Sequence, residues 1–481
     1  MAMHQATVKN GVLEGVPGGN PAVTVFKGIP YAAPPVGELR WRPPQPAADW
    51  EGVRRAYTFR GICPQLILPE DHPLAADNPP PFEEISEDCL YLNVWTPAKS
   101  PEEKLPVLFW IHGGANVGGF GHMSAFDGEG FAKRGVILVT FTWRVNIFGW
   151  LVHPELSAES DRHISGNYAV MDQIAALTWV RENIAAFGGD PDCITVAGQS
   201  AGASSTQLLC TTPLTRGMIK RAIMQSGGGF ALFSSHDFLT LQQAEATVDL
   251  KRALGVSTIE EARKLDSSEI ISRIFSPKAA GAYLPMPVAD GYVFPKTMAE
   301  MIREGDYHQI QYMIGCTCDE TAMYIFPEDR ELFLADQRAE YGDAAKDYLA
   351  LCDFLNDDAA FRYHLKYRSE EMLKTGIDVW TTVIEKHGTT PPYVYSFNRR
   401  VPGDDLGAFH SCELFYQFET LDRTRRAYTG EDYELSKQMA AYWSNYIKTG
   451  SPNGPGLTEW TTYTTAAPAV MQLKPGPHMG W

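Results

Sequence analysis

Short apolar runs that read as buried strands recur along the chain: Val107 to Ile111, Val136 to Phe141, Ile194 to Ala197, Ile223 to Gln225, Tyr312 to Ile314 and Tyr393 to Phe397. Helical patterns lie between several of them. After Asn167, the residues Leu177, Val180 and Ile184 fall at helical spacing until Gly188-Gly189-Asp190-Pro191 stops the helix. Near the end, Leu435, Met439, Tyr442, Trp443, Tyr446 and Ile447 do likewise before Gly450. Strands alternating with helices predict an α/β protein whose mostly parallel sheet is covered on both faces. Such sheets carry their chemistry in loops at the carboxyl ends of the strands.

At 481 residues the chain is long enough for several average domains, yet α/β folds often run this long as one unit. No repeat period and no long Gly/Ser or Pro-rich linker divides it, so a single domain over residues 1–481 is expected. The stretch from Leu74 to Glu84, LAADNPPPFEE, reads as a surface excursion. A balance of 41 Lys and Arg against 58 Asp and Glu gives −17, with no basic run, which argues against a nucleic-acid or anionic-membrane partner. No uncharged apolar run approaches membrane-spanning length. The start, MAMHQATVKNGVLEG, has no basic segment leading into an apolar one. The expectation is a soluble cytoplasmic chain, or a secreted one if a leader has been removed. Of the eight cysteines, Cys193, Cys210 and Cys352 sit among apolar residues as small core side chains. Cys316 and Cys318 form a C-x-C with no second ligand pair at zinc-site spacing, so no metal is expected there.

One motif carries chemistry in its proper context. The strand-like Cys193-Ile194-Thr195-Val196-Ala197 runs into Gly198-Gln199-Ser200-Ala201-Gly202 and then into the helix-compatible ASSTQLLC. In a strand, turn and helix of this kind the two glycines relieve crowding at a sharp turn, and the serine hydroxyl projects above the sheet. A serine attacks only if a base takes its proton, and the oxyanion it creates needs preorganised N–H donors. His112-Gly113-Gly114-Ala115, at the end of the run Val107 to Ile111, is a small-residue loop able to supply them. His112 itself reads as a brace for that loop rather than as the base.

The acid and the base should follow the serine in that order. Tyr312-Met313-Ile314 is followed by Gly315-Cys316-Thr317-Cys318-Asp319-Glu320-Thr321, which puts two carboxylates just past a strand end. A histidine among small and apolar residues lies at Leu406-Gly407-Ala408-Phe409-His410. Spacing alone leaves His410 in competition with His364 and His387.

The chain resembles the type-B carboxylesterase family, which includes bacterial and animal carboxylesterases, cholinesterases, bile-salt-activated lipase and the non-catalytic neuroligins. The resemblance rests on FKGIPYAAPPVGELRW at Phe26 to Trp41, SEDCLYLNVW at Ser86 to Trp95, WIHGGA at Trp110 to Ala115 and NYAVMDQ at Asn167 to Gln173. It continues with FGGDP at Phe187 to Pro191, GQSAGA at Gly198 to Ala203, DET ending at Thr321, GAFH at Gly407 to His410 and YWSNYIKTGSPN near the C-terminus. It implies the α/β-hydrolase fold, hydrolysis of carboxylic esters and a triad of Ser200, Glu320 and His410. It also implies oxyanion N–H groups from Gly114, Ala115 and Ala201, and a serine at Ser226 that supports the triad. By the same resemblance, Arg40 pairs with Glu87 and Arg144 with Asp172 as supports of the fold. Cys63 and Cys89 match a disulfide of exported members and would stay free thiols in a reducing cytoplasm.

The departures concern substrate more than mechanism. Gln199 stands where many members have Glu, removing a charge that would favour a cationic histidine. Ala115-Asn116 replaces the commoner Gly/Ala-Phe pair, and Thr321 and Ser411 each replace a Gly. No Trp lies between Cys63 and Cys89, so a choline-ester preference is not expected. The loop His112 to Asn116 resembles the G-G-G-A-X oxyanion type, which implies room for branching at the alcohol carbon. The expected reaction is acyl transfer from a small-molecule ester through Ser200, with no metal or organic cofactor required. A non-catalytic adhesion module, or a thioesterase, amidase or lyase on the same scaffold, stands as the alternative. The Gly227-Gly228-Gly229 run reads as a flexible loop near the site.

Overall fold

The computed structural model describes residues 3–67, 77, 84–228, 237–322, 329–388 and 390–480. Its centre is an eleven-stranded sheet. In chain order the strands are β1 (Val16–Pro17), β2 (Thr24–Pro30), β3 (Tyr91–Thr96), β4 (Leu105–Ile111), β5 (Ile137–Phe141) and β6 (Gly189–Gln199). They continue with β7 (Arg221–Gln225), β8 (Gln311–Thr317), β9 (Tyr393–Phe397), β10 (Val470–Leu473) and β11 (His478–Gly480). Their spatial order is β11-β10-β9-β8-β7-β6-β4-β5-β3-β2-β1. From β10 to β5 every neighbouring pair is parallel, while β1 to β3 and β11 close the two sides antiparallel.

All six runs expected to be strands lie in strands, with only Val136 falling one residue before β5. The reason is burial: Val107, Leu108, Phe109 and Ile111 of β4 and all five residues of β5 are shielded from solvent, as a two-sided parallel sheet requires. Each such large apolar side chain contributes about 1.5–3 kcal/mol by leaving water. One group of side chains packs Phe109, Val139 and Val196 under helix α1 (Tyr168–Asn183), and another packs Trp110, Leu138 and Ile223 under helix α4 (Gly430–Thr449). Between them in sequence come α2 (Ala201–Thr211) and the long α3 (Asp358–Lys386).

Two details differ from the sequence reading. Strand β6 begins at Gly189, before Pro191, because Gly188 in left-handed backbone ends a short 3-10 turn and the chain pairs with β4 at once. Of the excursion Leu74 to Glu84, only Asp77 and Glu84 are among the described residues. Asp77 is buried there, its carboxylate accepting from Arg426 Nε at 2.8 Å. Gly227 and Gly228 follow β7, and Gly229 lies outside the described residues. Both expected ion pairs form: Arg40 Nε donates to Glu87 at 2.7 Å, and Arg144 meets Asp172. Cys63 and Cys89 are buried free thiols.

Candidate active site

The site grows from strands that end at one level. Register pairs Ile111 with Gly198, Gln225 with both Gln199 and Gly315, and Thr317 with Phe397. Every segment named as chemical therefore leaves the sheet at the same edge.

Ser200 is the single residue between β6 and α2, with φ +59° and ψ −129°. Such backbone is strained for any residue bearing a Cβ and is stored where the surroundings over-determine it. Here the Ser200 N–H donates to Gln225 O at 2.8 Å, while α2 leaves immediately in the opposite sense. That reversal brings backbones so close that a Cβ on Gly202 would lie 2.1 Å from the Ile111 carbonyl oxygen, and one on Gly198 2.3 Å from Gly202 O. Only glycine fits either place. Ser200 consequently stands at the N-terminus of α2, whose dipole favours negative charge.

The facing loop is built from the end of β4. Gly114, Ala115 and Asn116 all have positive φ, at +118°, +53° and +62°. The Val117 and Gly118 N–H groups both donate to Gly114 O, at 2.9 and 3.0 Å. Among the described residues, the Gly114 and Ala115 N–H groups donate to no backbone acceptor. Hydrogen bonds to more distant segments hold the loop. Gln65 Oε1 accepts from Gly119 N at 2.7 Å while its Nε2 donates to Gly119 O at 3.1 Å, and Asn116 Nδ2 donates to Pro285 O at 3.0 Å. His112 is fully buried, stacks on Trp143 with ring centroids 4.9 Å apart, and contacts Gly113 O through Nδ1 at 2.8 Å. Burial pulls its pKa down to about 4, so it is a neutral brace.

Beyond β8 the two carboxylates separate. Glu320 Oε2 meets His410 Nδ1, and its Oε1 accepts from Ser226 Oγ at 2.6 Å and Thr317 N at 2.7 Å. Asp319 Oδ2 instead accepts from the Ala408 N–H at 2.6 Å, and Asp319 N donates to Ala408 O at 3.0 Å. Burial opposes charge on Glu320, but the His410 ring and these donors outweigh it and hold its pKa below the ordinary carboxyl value. Burial likewise lowers that of His410, and Glu320 more than reverses this, holding the ring above the ordinary histidine value. Of the competing histidines, His364 lies within α3, and His387 caps that helix edge-on to Tyr307.

Three side chains at the site escaped the sequence reading of roles. Gln65, whose amide bonds Gly119 just beyond the Gly-rich loop, carries no sequence signal. Asp319 was visible only as one of two adjacent carboxylates. Glu413 could have been noticed, being a lone acid in the apolar stretch Ala408 to Phe418. It is fully buried, with Gln225 Nε2 3.4 Å from Oε1 and no partner for Oε2 among the described residues. Burial, then the charge of Glu320, pushes its pKa up to about 8.

Residues 3–480 match the family model described as the carboxylesterase family. The chain belongs to that family. It is 34% identical over 472 residues to the fumonisin B1 esterase of Sphingopyxis macrogoltabida, spanning 95% of this chain and 84% of that protein. It is 33% identical over 457 residues to the para-nitrobenzyl esterase of Bacillus subtilis, spanning 91% and 88%. Among solved structures, a PNB esterase superposes with a TM-score of 0.81 at 29% identity, covering 99% of this chain and 97% of the other. A carboxylesterase of Geobacillus stearothermophilus gives 0.81 at 31%, covering 99% and 98%. The carboxylesterase fold is thus the α/β-hydrolase fold expected, and the chain is a carboxylic ester hydrolase. None of its described helices is long and apolar enough to cross a membrane.

Proposed function

We propose that this carboxylesterase acts as a single domain through an acyl-enzyme on Ser200, with His410 as general base and Glu320 as the acid that orients it. The contact between Glu320 and His410 Nδ1 carries the reading. A carboxylate at Nδ1 keeps the ring proton there and leaves Nε2 as the basic nitrogen. With Glu320's other oxygen tied to Ser226 and Thr317, the ring has one orientation.

His410 takes the Ser200 proton as the hydroxyl adds to the ester carbonyl, and Glu320 stabilises the imidazolium without itself being protonated. The N–H groups of Gly114, Ala115 and Ala201 receive the oxyanion at the end of α2. His410 then gives its proton to the departing alcohol, and water repeats the sequence on the acyl-enzyme. His112, buried and neutral, holds the donor loop and exchanges no proton.

Ser200→Ala tests this directly with p-nitrophenyl butyrate. The mutant should fold like wild type and lose activity by several orders of magnitude. Retention of even a tenth of the activity would move the nucleophile elsewhere. A covalent organophosphate adduct should map to Ser200 by peptide mass.

A further inference from the structure

Ser411 follows His410 in left-handed backbone at φ +75°, a conformation glycine adopts freely and serine does not. An outlier beside the base invites the question of what its side chain does. Its hydroxyl donates to Gln199 Oε1 at 3.0 Å. The other end of the same amide, Nε2, lies 3.2 Å from His410 Nε2 and 3.4 Å from Nδ1. In the ring plane, near-equal distances to both nitrogens would press the amide onto Cε1. The amide therefore lies over the face of the imidazole. Gln199 and His410 are 3% and 2% exposed, so little water screens the contact.

We propose that Ser411 is a positioning residue: by fixing Gln199 over His410 with the amide N–H₂ toward the ring, it lowers the base's affinity for a proton. This rests on His410 being the general base. The N–H₂ end of an amide carries partial positive charge, which tolerates a neutral imidazole and opposes an imidazolium. Ser411, by engaging Oε1, keeps the amide's negative end away from the ring. Among the described residues, the charged groups that act on His410 are Glu320 from the loop after β8 and Glu413 from its own turn. The turn before Ser200 presents the uncharged Gln199 to the ring. Gln199 is thus the neighbour whose orientation can tune the base without adding a charge.

The acid limb of kcat/KM reports the free enzyme's base. Ser411→Gly removes the hydroxyl and relieves the backbone, so thermal stability should hold or rise. The freed amide can then turn its oxygen toward the imidazolium, and the acid-limb inflection should move up by about half a pH unit, with KM little changed. Gln199→Glu puts a carboxylate at the same place and, where it is ionised, should move the inflection up by about one unit or more. An unmoved inflection in Ser411→Gly would overturn the proposal; should that variant misfold, Ser411→Ala, which keeps the native strain, carries the same test. Ser200→Ala and His410→Ala run alongside. If both are inactive and the Ser411 variants titrate like wild type, the Ser411 inference alone fails. If either keeps activity, the triad reading fails and takes the inference with it.

Discussion

Asp319 and Glu320 are consecutive, yet their carboxylates serve different partners: Glu320 meets His410 Nδ1, while Asp319 holds the Ala408 N–H two residues before that histidine. One orients the ring and the other the loop that carries it. Glu320→Gln should therefore slow p-nitrophenyl butyrate hydrolysis by about a thousandfold or more with normal folding, as loss of the orienting acid does in other triads. Asp319→Asn keeps an acceptor for the Ala408 N–H and should cost far less. Steady-state kinetics of the two variants decides the matter, and the reverse ranking would transfer the role to Asp319.

Glu413 makes stability depend on pH in a direction opposite to that of a paired carboxylate. Its folded pKa of about 8 stands above its ordinary value of 4.5. Between those values the folded protein retains a proton that the unfolded chain has released, so stability falls as pH rises through this window and levels off above it. Glu413→Gln removes that slope. The melting temperature of the variant minus that of wild type should grow from about pH 5 to about pH 8. Two curves separated by a constant offset would show that Glu413 does not titrate in this way.

The pair Arg144–Asp172 is fully enclosed, with side chains 2% and 0% exposed and two side-chain bonds of 2.8 and 2.7 Å. Replacing one partner leaves a buried charge without its counter-ion. Asp172→Ala should lower unfolding stability by about 3–5 kcal/mol, read as a shift of the urea midpoint. Replacing both by apolar residues, as in Arg144→Met with Asp172→Leu, should recover much of the loss. A single variant with the wild-type midpoint would contradict this account.

The loop Gly114-Ala115-Asn116 has three successive positive φ angles. If the G-G-G-A-X resemblance extends to the alcohol pocket, esters of tertiary alcohols should be substrates. Purified enzyme should release acetate from tert-butyl acetate measurably above a Ser200→Ala blank. Brisk turnover of n-butyl acetate beside none of the tertiary ester would reject the expectation.

What the sequence made legible follows from how local each signal is. Strands such as Val107 to Ile111 announce themselves because burial on both faces leaves no room for polar residues. The elbow at Ser200 is equally local, since Gly198 and Gly202 answer clashes within a few residues of chain. His410 could not be separated from His364 and His387 by spacing, because what distinguishes it is Glu320, a contact across 90 residues. The choice between Asp319 and Glu320 depends on the turn after β8, which no pattern of residue types encodes. Gln65 on Gly119 and Ser411 on Gln199 are long-range contacts of ordinary polar residues, with no periodicity to betray them.

Two long stretches of chain leave the sheet between β7 and β8 and between β8 and β9, and each returns to a strand beside the one it left. Ser226 opens the first and Glu320 lies near the start of the second. The supports of the chemistry thus belong to the sockets rather than to what is plugged into them. Each excursion thus leaves the sheet next to Ser226 or Glu320 and returns to the neighbouring strand.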